Sequence, residues 1–207
     1  PKMSTQLNVH NFTVNKGLMG EADIQGVWDD ELPGIRLEAQ MEEKNLSQTH
    51  VTGYVSPKLK ALDLRIEADS TNLDLLTPYF EGIFSEFDAR ANGLVRLHGG
   101  FKILDFEGGV RVKMDTKVDM INTYLQLHDD SVYISHGEFA LKNARLFDRE
   151  GNTGRITGAL RHTHLKNLNY HFDIQSDNLL LYYSNDPGDL LFYGKVYATG
   201  RITLDGG

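Results

Sequence analysis

His162-Thr163-His164 sets two imidazoles two residues apart. On an extended strand that spacing turns both to one side, where they could share a metal ion. A polar loop or strand end uses the same residues, and that reading is the stronger one. Two acidic stretches, Asp29-Asp30-Glu31 and Asp186-Pro187-Gly188-Asp189, bring carboxylates together. Asp, Pro and Gly in these orders are turn residues, and that reading is the stronger one. The sequence holds no G-x-S-x-G elbow, no phosphate-binding P-loop, no G-x-G-x-x-G and no H-E-x-x-H. It has no cysteine, which removes disulfides and thiolate chemistry. Asn11-Phe12-Thr13 and Asn45-Leu46-Ser47 match the glycosylation sequon and are read as chance matches. The residues therefore point to a protein that is not an enzyme and that uses neither metal nor cofactor.

What the chain does carry is alternation. Leu168, Tyr170, Phe172 and Ile174 are apolar, and Asn169, His171, Asp173 and Gln175 between them are polar. Strict period two marks a strand with one dry face and one wet face. Leu62, Leu64, Ile66 and Ala68 alternate in the same way with Asp63, Arg65, Glu67 and Asp69. So do Val110, Val112, Met114, Thr116, Val118 and Met120 with the charged residues between them, and Ile35, Leu37, Ala39 and Met41 near the start. Turn signals at Glu107-Gly108-Gly109, Arg149-Glu150-Gly151-Asn152 and Asp186-Pro187-Gly188 punctuate these runs. Only 71–88 has spacing that suits a short helix, and Pro78 would interrupt a long one. The pattern predicts an all-β protein with mostly antiparallel strands.

The 207 residues also contain a long-period repeat. Residues 51–100 and 156–207 share an apolar-Thr-Gly start, a Leu-Lys step, alternating leucines and an Asn-Leu-x-Leu end. Gly53 aligns with Gly158, Leu62 with Leu168, Asn72 with Asn178, and 93–99 with 200–206. The net charge is −8, and lysines and arginines are scattered, which argues against a nucleic-acid partner. No apolar run reaches the ~18 residues of a membrane helix. The chain opens on Pro-Lys-Met and ends at Leu-Asp-Gly-Gly, so it is read as one continuous β segment, 1–207, of a longer protein.

Particular words then carry a resemblance. Asp189-Leu190-Leu191-Phe192 followed by Tyr193-Gly194-Lys195-Val196-Tyr197-Ala198-Thr199-Gly200 resembles a phrase of the TamB family, the translocation and assembly module of the AsmA-like group. Phe147-Asp148-Arg149-Glu150-Gly151-Asn152, then Ile156-Thr157-Gly158, then His162 to Leu165, is similar to the same family in order and spacing. The likeness runs from about Val118 to Gly207; the first copy is looser, with Ile83-Phe84-Ser85-Glu86-Phe87 in place of the Leu-Phe-Tyr-Gly phrase. The resemblance implies an elongated, strongly curved sheet, a trough with an apolar concave face. It implies a body in the periplasm of a diderm bacterium, held to the inner membrane by an N-terminal helix outside this sequence. It implies phospholipid acyl chains as cargo, carried towards the outer membrane, and an outer-membrane barrel protein of the assembly-factor type as partner.

The lining expected of such a trough is Leu62, Leu64, Ile66, Val110, Val112, Met114, Leu168, Tyr170, Phe172 and Ile174. Two sixteen-carbon chains expose about 30 methylenes at about 0.8 kcal/mol each, so a continuous apolar lining offsets roughly 24 kcal/mol without any catalytic residue. Three other readings stand beside it. Alternation alone fits the core of a closed β-sandwich. A structural β module that aids outer-membrane protein assembly would work through exposed strand edges. A glycan hydrolase on a β-helix would need carboxylates gathered in one cleft.

Overall fold

The computed structural model describes residues 3–15, 17–31, 33–164, 166–184 and 194–207. It is a single twelve-stranded antiparallel sheet whose spatial order equals the chain order. The strands are β1 (Ser4–Val14), β2 (Gly17–Asp29), β3 (Gly34–Glu43), β4 (Ser47–Ser56), β5 (Ala61–Asn72) and β6 (Phe84–Gly100). They continue as β7 (Ile103–Val118), β8 (Thr123–Ser135), β9 (Glu138–Asp148), β10 (Thr153–Thr163), β11 (Lys166–Ser184) and β12 (Gly194–Gly206). Short 3-10 helices occupy Asp74–Tyr79 and Asp119–Ile121. β1 and β12 do not pair with each other, so the sheet is open. A sandwich of two separate sheets is thereby excluded: all twelve strands belong to one sheet.

Register explains why alternation survives the whole width. Residues opposite each other in a ladder share a face. Leu7, Ile24, Ala39, Val51, Ile66 and Val95 stand opposite one another in succession from β1 to β6. The row continues through Gly108, Ile134, Phe139, Leu160, Tyr170 and Gly206 to β12. A second row runs beside it: Val9, Ala22, Met41, Thr49, Ala68, Gly93, Val110, Val132, Leu141, Gly158, Phe172 and Leu204. The hydroxyls of Thr49 and Tyr170 are the polar side-chain groups in the two rows, and that of Thr49 meets the Thr71 hydroxyl at 2.6 Å.

Three expectations change. Glu107-Gly108-Gly109 is not a turn; it lies inside β7. Gly108 has φ +142°, and a Cβ there would stand 2.2 Å from the Leu94 carbonyl oxygen. Glycine is needed at this point because two backbones approach, which a linear reading takes for a turn. Met120 leaves the alternation: β7 ends at Val118 and Met120 sits exposed in the second 3-10 helix. The strands are 10 to 19 residues long, as in β3 and β11, so β5 and β11 extend beyond the apolar runs that mark them in the sequence. The turn at Asp186-Pro187-Gly188, the acidic stretch through Asp189, the phrase through Tyr193, and Leu165 lie outside the described residues.

The sheet turns sharply along its length. β2 touches β5, and β8 touches β11, although two strands lie between each pair. Thr123 Oγ1 donates to the Leu180 carbonyl at 3.1 Å and Asn122 Nδ2 to that of Tyr183 at 2.7 Å, both from the start of β8 to the end of β11. Left-handed residues mark the places where the ladders slip: Asn11 in β1, Ser70 in β5, Asn143 in β9 and Asn178 in β11. Such bulges bend a strand and increase local twist.

Candidate functional site

The apolar face is the one broad feature that the strands build together. Ile66 and Tyr170 stand in one row, Val110 and Phe172 in the next, so the three strips found in the sequence share a face. Leu62, Leu64 and Ile66 on β5 are half-buried, as are Val110 and Met114 on β7 and Leu168, Tyr170 and Phe172 on β11. Val112 and Ile174 differ: they are 5% and 0% exposed and belong to packed clusters rather than to open lining. Tyr170 and Phe172 stack with ring centroids 6.3 Å apart.

Packing closes part of this face. Leu125, Leu127, Ala144, Leu146, Ile156, Ile174 and Leu179 form one buried cluster across β8–β11. Met19, Ala22 and Met41 form a second, with Leu75 of the first 3-10 helix against it. Asn15 Nδ2 donates to the Leu75 carbonyl at 2.8 Å, and Gly17 leaves room for that backbone. Ala89, Ala91 and Val112 form a third under Leu73. All three lie towards the ends of the strands that carry the 3-10 helices.

The residues between the apolar ones carry ion pairs. Arg96 holds Asp63 at 2.7 Å, and Arg201 holds Asp173 at 2.8 Å. The Arg96 guanidinium keeps the Asp63 carboxyl below its ordinary pKa. Arg201, helped by the Thr203 hydroxyl, lowers Asp173 to about 2. His171 bonds to Asp205, which raises its pKa, with Asp173 adding to the effect. Two adjoining open concavities of about 740 and 570 Å³ lie on this polar face, sharing Glu38 and Arg65. A twisted sheet is saddle-shaped, so each face is hollow along one diagonal. The polar hollow gathers no charge of one sign: Arg65 pairs with Glu67, and His50 with Glu38 at 3.4 Å.

The sequence missed the role of Asp148. It is 2% exposed, at the end of β9. It accepts from the backbone of Glu150, Asn152 and Leu180 and from Asn152 Nδ2 at 2.8–2.9 Å. Burial acts to raise its pKa, but the donors outweigh burial and hold it below its ordinary value. The D-x-x-G-N words signalled the turn; the Leu180 donor, far along the chain, could not be read from them.

The two histidines do not converge. His162 is buried beside Phe139, with ring centroids 4.8 Å apart, and burial lowers its pKa. His164 is exposed, with φ +53°, and its Nδ1 lies 3.2 Å from the Leu104 carbonyl. Among the described residues no three His, Cys, Asp or Glu side chains are placed to hold a metal ion. Asp29-Asp30-Glu31 caps the β2–β3 turn: Asp29 accepts from Glu31 N and from Arg36, and Asp30 from Trp28 Nε1. Among the described residues no helix is long and apolar enough to cross a membrane. Comparison with protein-family models, with curated proteins and with solved structures finds no match for this chain.

Proposed function

We propose that this chain is a segment of a periplasm-spanning bridge that carries phospholipids between the inner and outer membranes of a diderm bacterium. The observation that carries the reading is the pair of apolar rows that cross all twelve strands. Eleven strand spacings of about 4.8 Å give a path of roughly 50 Å. Acyl chains need a mostly apolar path and no particular contact, and the rows have that chemistry, with the Thr49 hydroxyl turned to Thr71. In this reading the apolar face is the concave one. The contacts of β2 with β5 and of β8 with β11, together with the clusters packed on that face, support the assignment. The charged face keeps the body in water. No step in the reading is catalytic; the bridge feeds an outer-membrane barrel protein of the assembly-factor type and is held at the inner membrane by a helix outside this sequence.

The test is mass spectrometry of an organic extract of the purified chain, with a photocrosslinking residue at Leu64 or Phe172. Phospholipid adducts at these sites, and none at Asp63 or Asp173 on the other face, are expected. Adducts on the polar face, or no lipid at all, would overturn the reading.

The open edges favour a second reading, a β module that aids assembly of outer-membrane proteins. β1 is exposed along most of its length, and among the described residues β2 is its one partner. A client strand could add there through backbone hydrogen bonds. Crosslinks from β1 to a barrel precursor, with no lipid bound, would select it.

A further inference from the structure

Two neighbouring turns join exposed apolar side chains to lysines. The β4–β5 turn reads Pro57-Lys58-Leu59-Lys60, and the β6–β7 turn reads Phe101-Lys102, with Ile103 opening β7. Leu59, Phe101 and Ile103 are 64%, 45% and 60% exposed. Lys58, Lys60 and Lys102 are exposed beside them. The turns are side by side: Ala61 pairs with Gly100, and Phe101 N donates to the Lys60 carbonyl at 2.7 Å. They are also held firmly. The Ser56 hydroxyl, fully buried, donates to the Pro33 carbonyl at 2.6 Å and accepts from Leu59 N at 3.1 Å.

Charge sets this corner apart. The chain has net charge −8, yet these two turns carry three lysines and no carboxylate. Asp63 and Asp105, the nearest acids along the strands, are paired with Arg96 and His136. The acidic turn at Asp29–Glu31 adjoins this corner, since Ser56 donates to Pro33, but two of its three carboxylates are engaged there: Asp29 pairs with Arg36 and Asp30 accepts from Trp28 Nε1. At the opposite ends of the strands Met120 stands next to Asp119 and Tyr79 near Glu81, and where Tyr183, Val196 and Tyr197 are exposed together their lysine, Lys195, is held by Glu150. Three apolar side chains that can sink into a headgroup layer, ringed by lysines that can stay at its surface, match the chemistry of interfacial anchoring.

We propose that this corner docks the protein peripherally on an anionic phospholipid surface, with Leu59, Phe101 and Ile103 inserted and Lys58, Lys60 and Lys102 on the headgroups. The proposal does not rest on lipid carriage along the apolar face, and its test reads attachment rather than cargo. The whole chain is floated with vesicles of phosphatidylglycerol and phosphatidylcholine, and with phosphatidylcholine alone. Binding is expected on the anionic vesicles and to fall with salt. Replacing the lysines together, Lys58→Gln, Lys60→Gln and Lys102→Gln, should weaken it on the order of a hundredfold, at roughly one kcal/mol per lysine. All three are exposed, so the thermal melt should not move. A Phe101→Trp reporter should shift its emission to the blue on anionic vesicles, whereas Leu46→Trp at the opposite strand ends should not. Equal shifts at both positions, equal binding by the glutamine variant, or no vesicle binding would overturn the proposal; so would binding of polyglutamate without vesicles, which would assign the corner to an acidic protein.

Discussion

Asp148 shows what one buried carboxylate does in this sheet. Its oxygens tie the β9–β10 turn to Leu180 on β11. Asp148→Ala leaves those donors unsatisfied and should lower stability by about 3 kcal/mol in a denaturant titration. Its pKa is lowered on folding, so it stabilises the fold above its unfolded value, near 3.9, and this contribution is lost as pH falls through the folded value. Asp148→Asn should therefore flatten the fall in melting temperature below pH ~4, as read by melts from pH 7 to pH 3. A pair of substitutions separates lining from core. Phe172 is half-buried and Ile174 is 0% exposed. Phe172→Asp should stay folded, because water can reach the carboxylate, and should lose bound phospholipid. Ile174→Asp places an unpaired charge in the β8–β11 cluster and should unfold the chain at room temperature by circular dichroism.

At the scale of elements, alternation makes β5, β7 and β11 legible in the sequence, because one face of each is apolar over most of its length. The slips were not legible. Ser70 and Asn178 take left-handed conformations inside polar stretches, and a polar stretch reads the same with or without an extra residue. Gly108 misled for a related reason: a glycine pair is a turn signal unless the facing strand is known. Gly108→Val should cost several kcal/mol, with φ +142° and the Leu94 carbonyl 2.2 Å from the new Cβ. Gly151, at φ +88° with nothing near its Cβ position, is the contrast; Gly151→Ala should cost only about 1 kcal/mol. Paired urea titrations would rank the two, and the reverse order would show that β7 does not run through Gly108.

At the scale of the molecule, the sequence made plain an all-β architecture but not its order. Nothing in a linear pattern says that every strand pairs with its neighbour in the chain. The apolar lining was legible as a face, whereas its division into open surface and packed cluster depends on curl, which the bulges and the 3-10 helix at Asp74–Tyr79 introduce. Stability should be uneven as a result. The large cluster lies in β8–β11, while β1 is mostly exposed. Amide hydrogen exchange should be slowest in β8–β11 and fastest in β1. Equal protection in both would mean that the sheet opens only as a whole.

The strict neighbour-to-neighbour order gives the fold a growth rule. Each hairpin rests on the one before it, and no distant segment must arrive to complete the sheet. Such an assembly behaves as a one-dimensional lattice, able to form strand by strand as the chain emerges from synthesis. In such an order one more hairpin would extend the apolar rows by two strand spacings, and one fewer would shorten them by two. The same rule contains no instruction to stop. Among the described residues β1 and β12 each pair on one side only, and an edge of that kind is where a further strand could add.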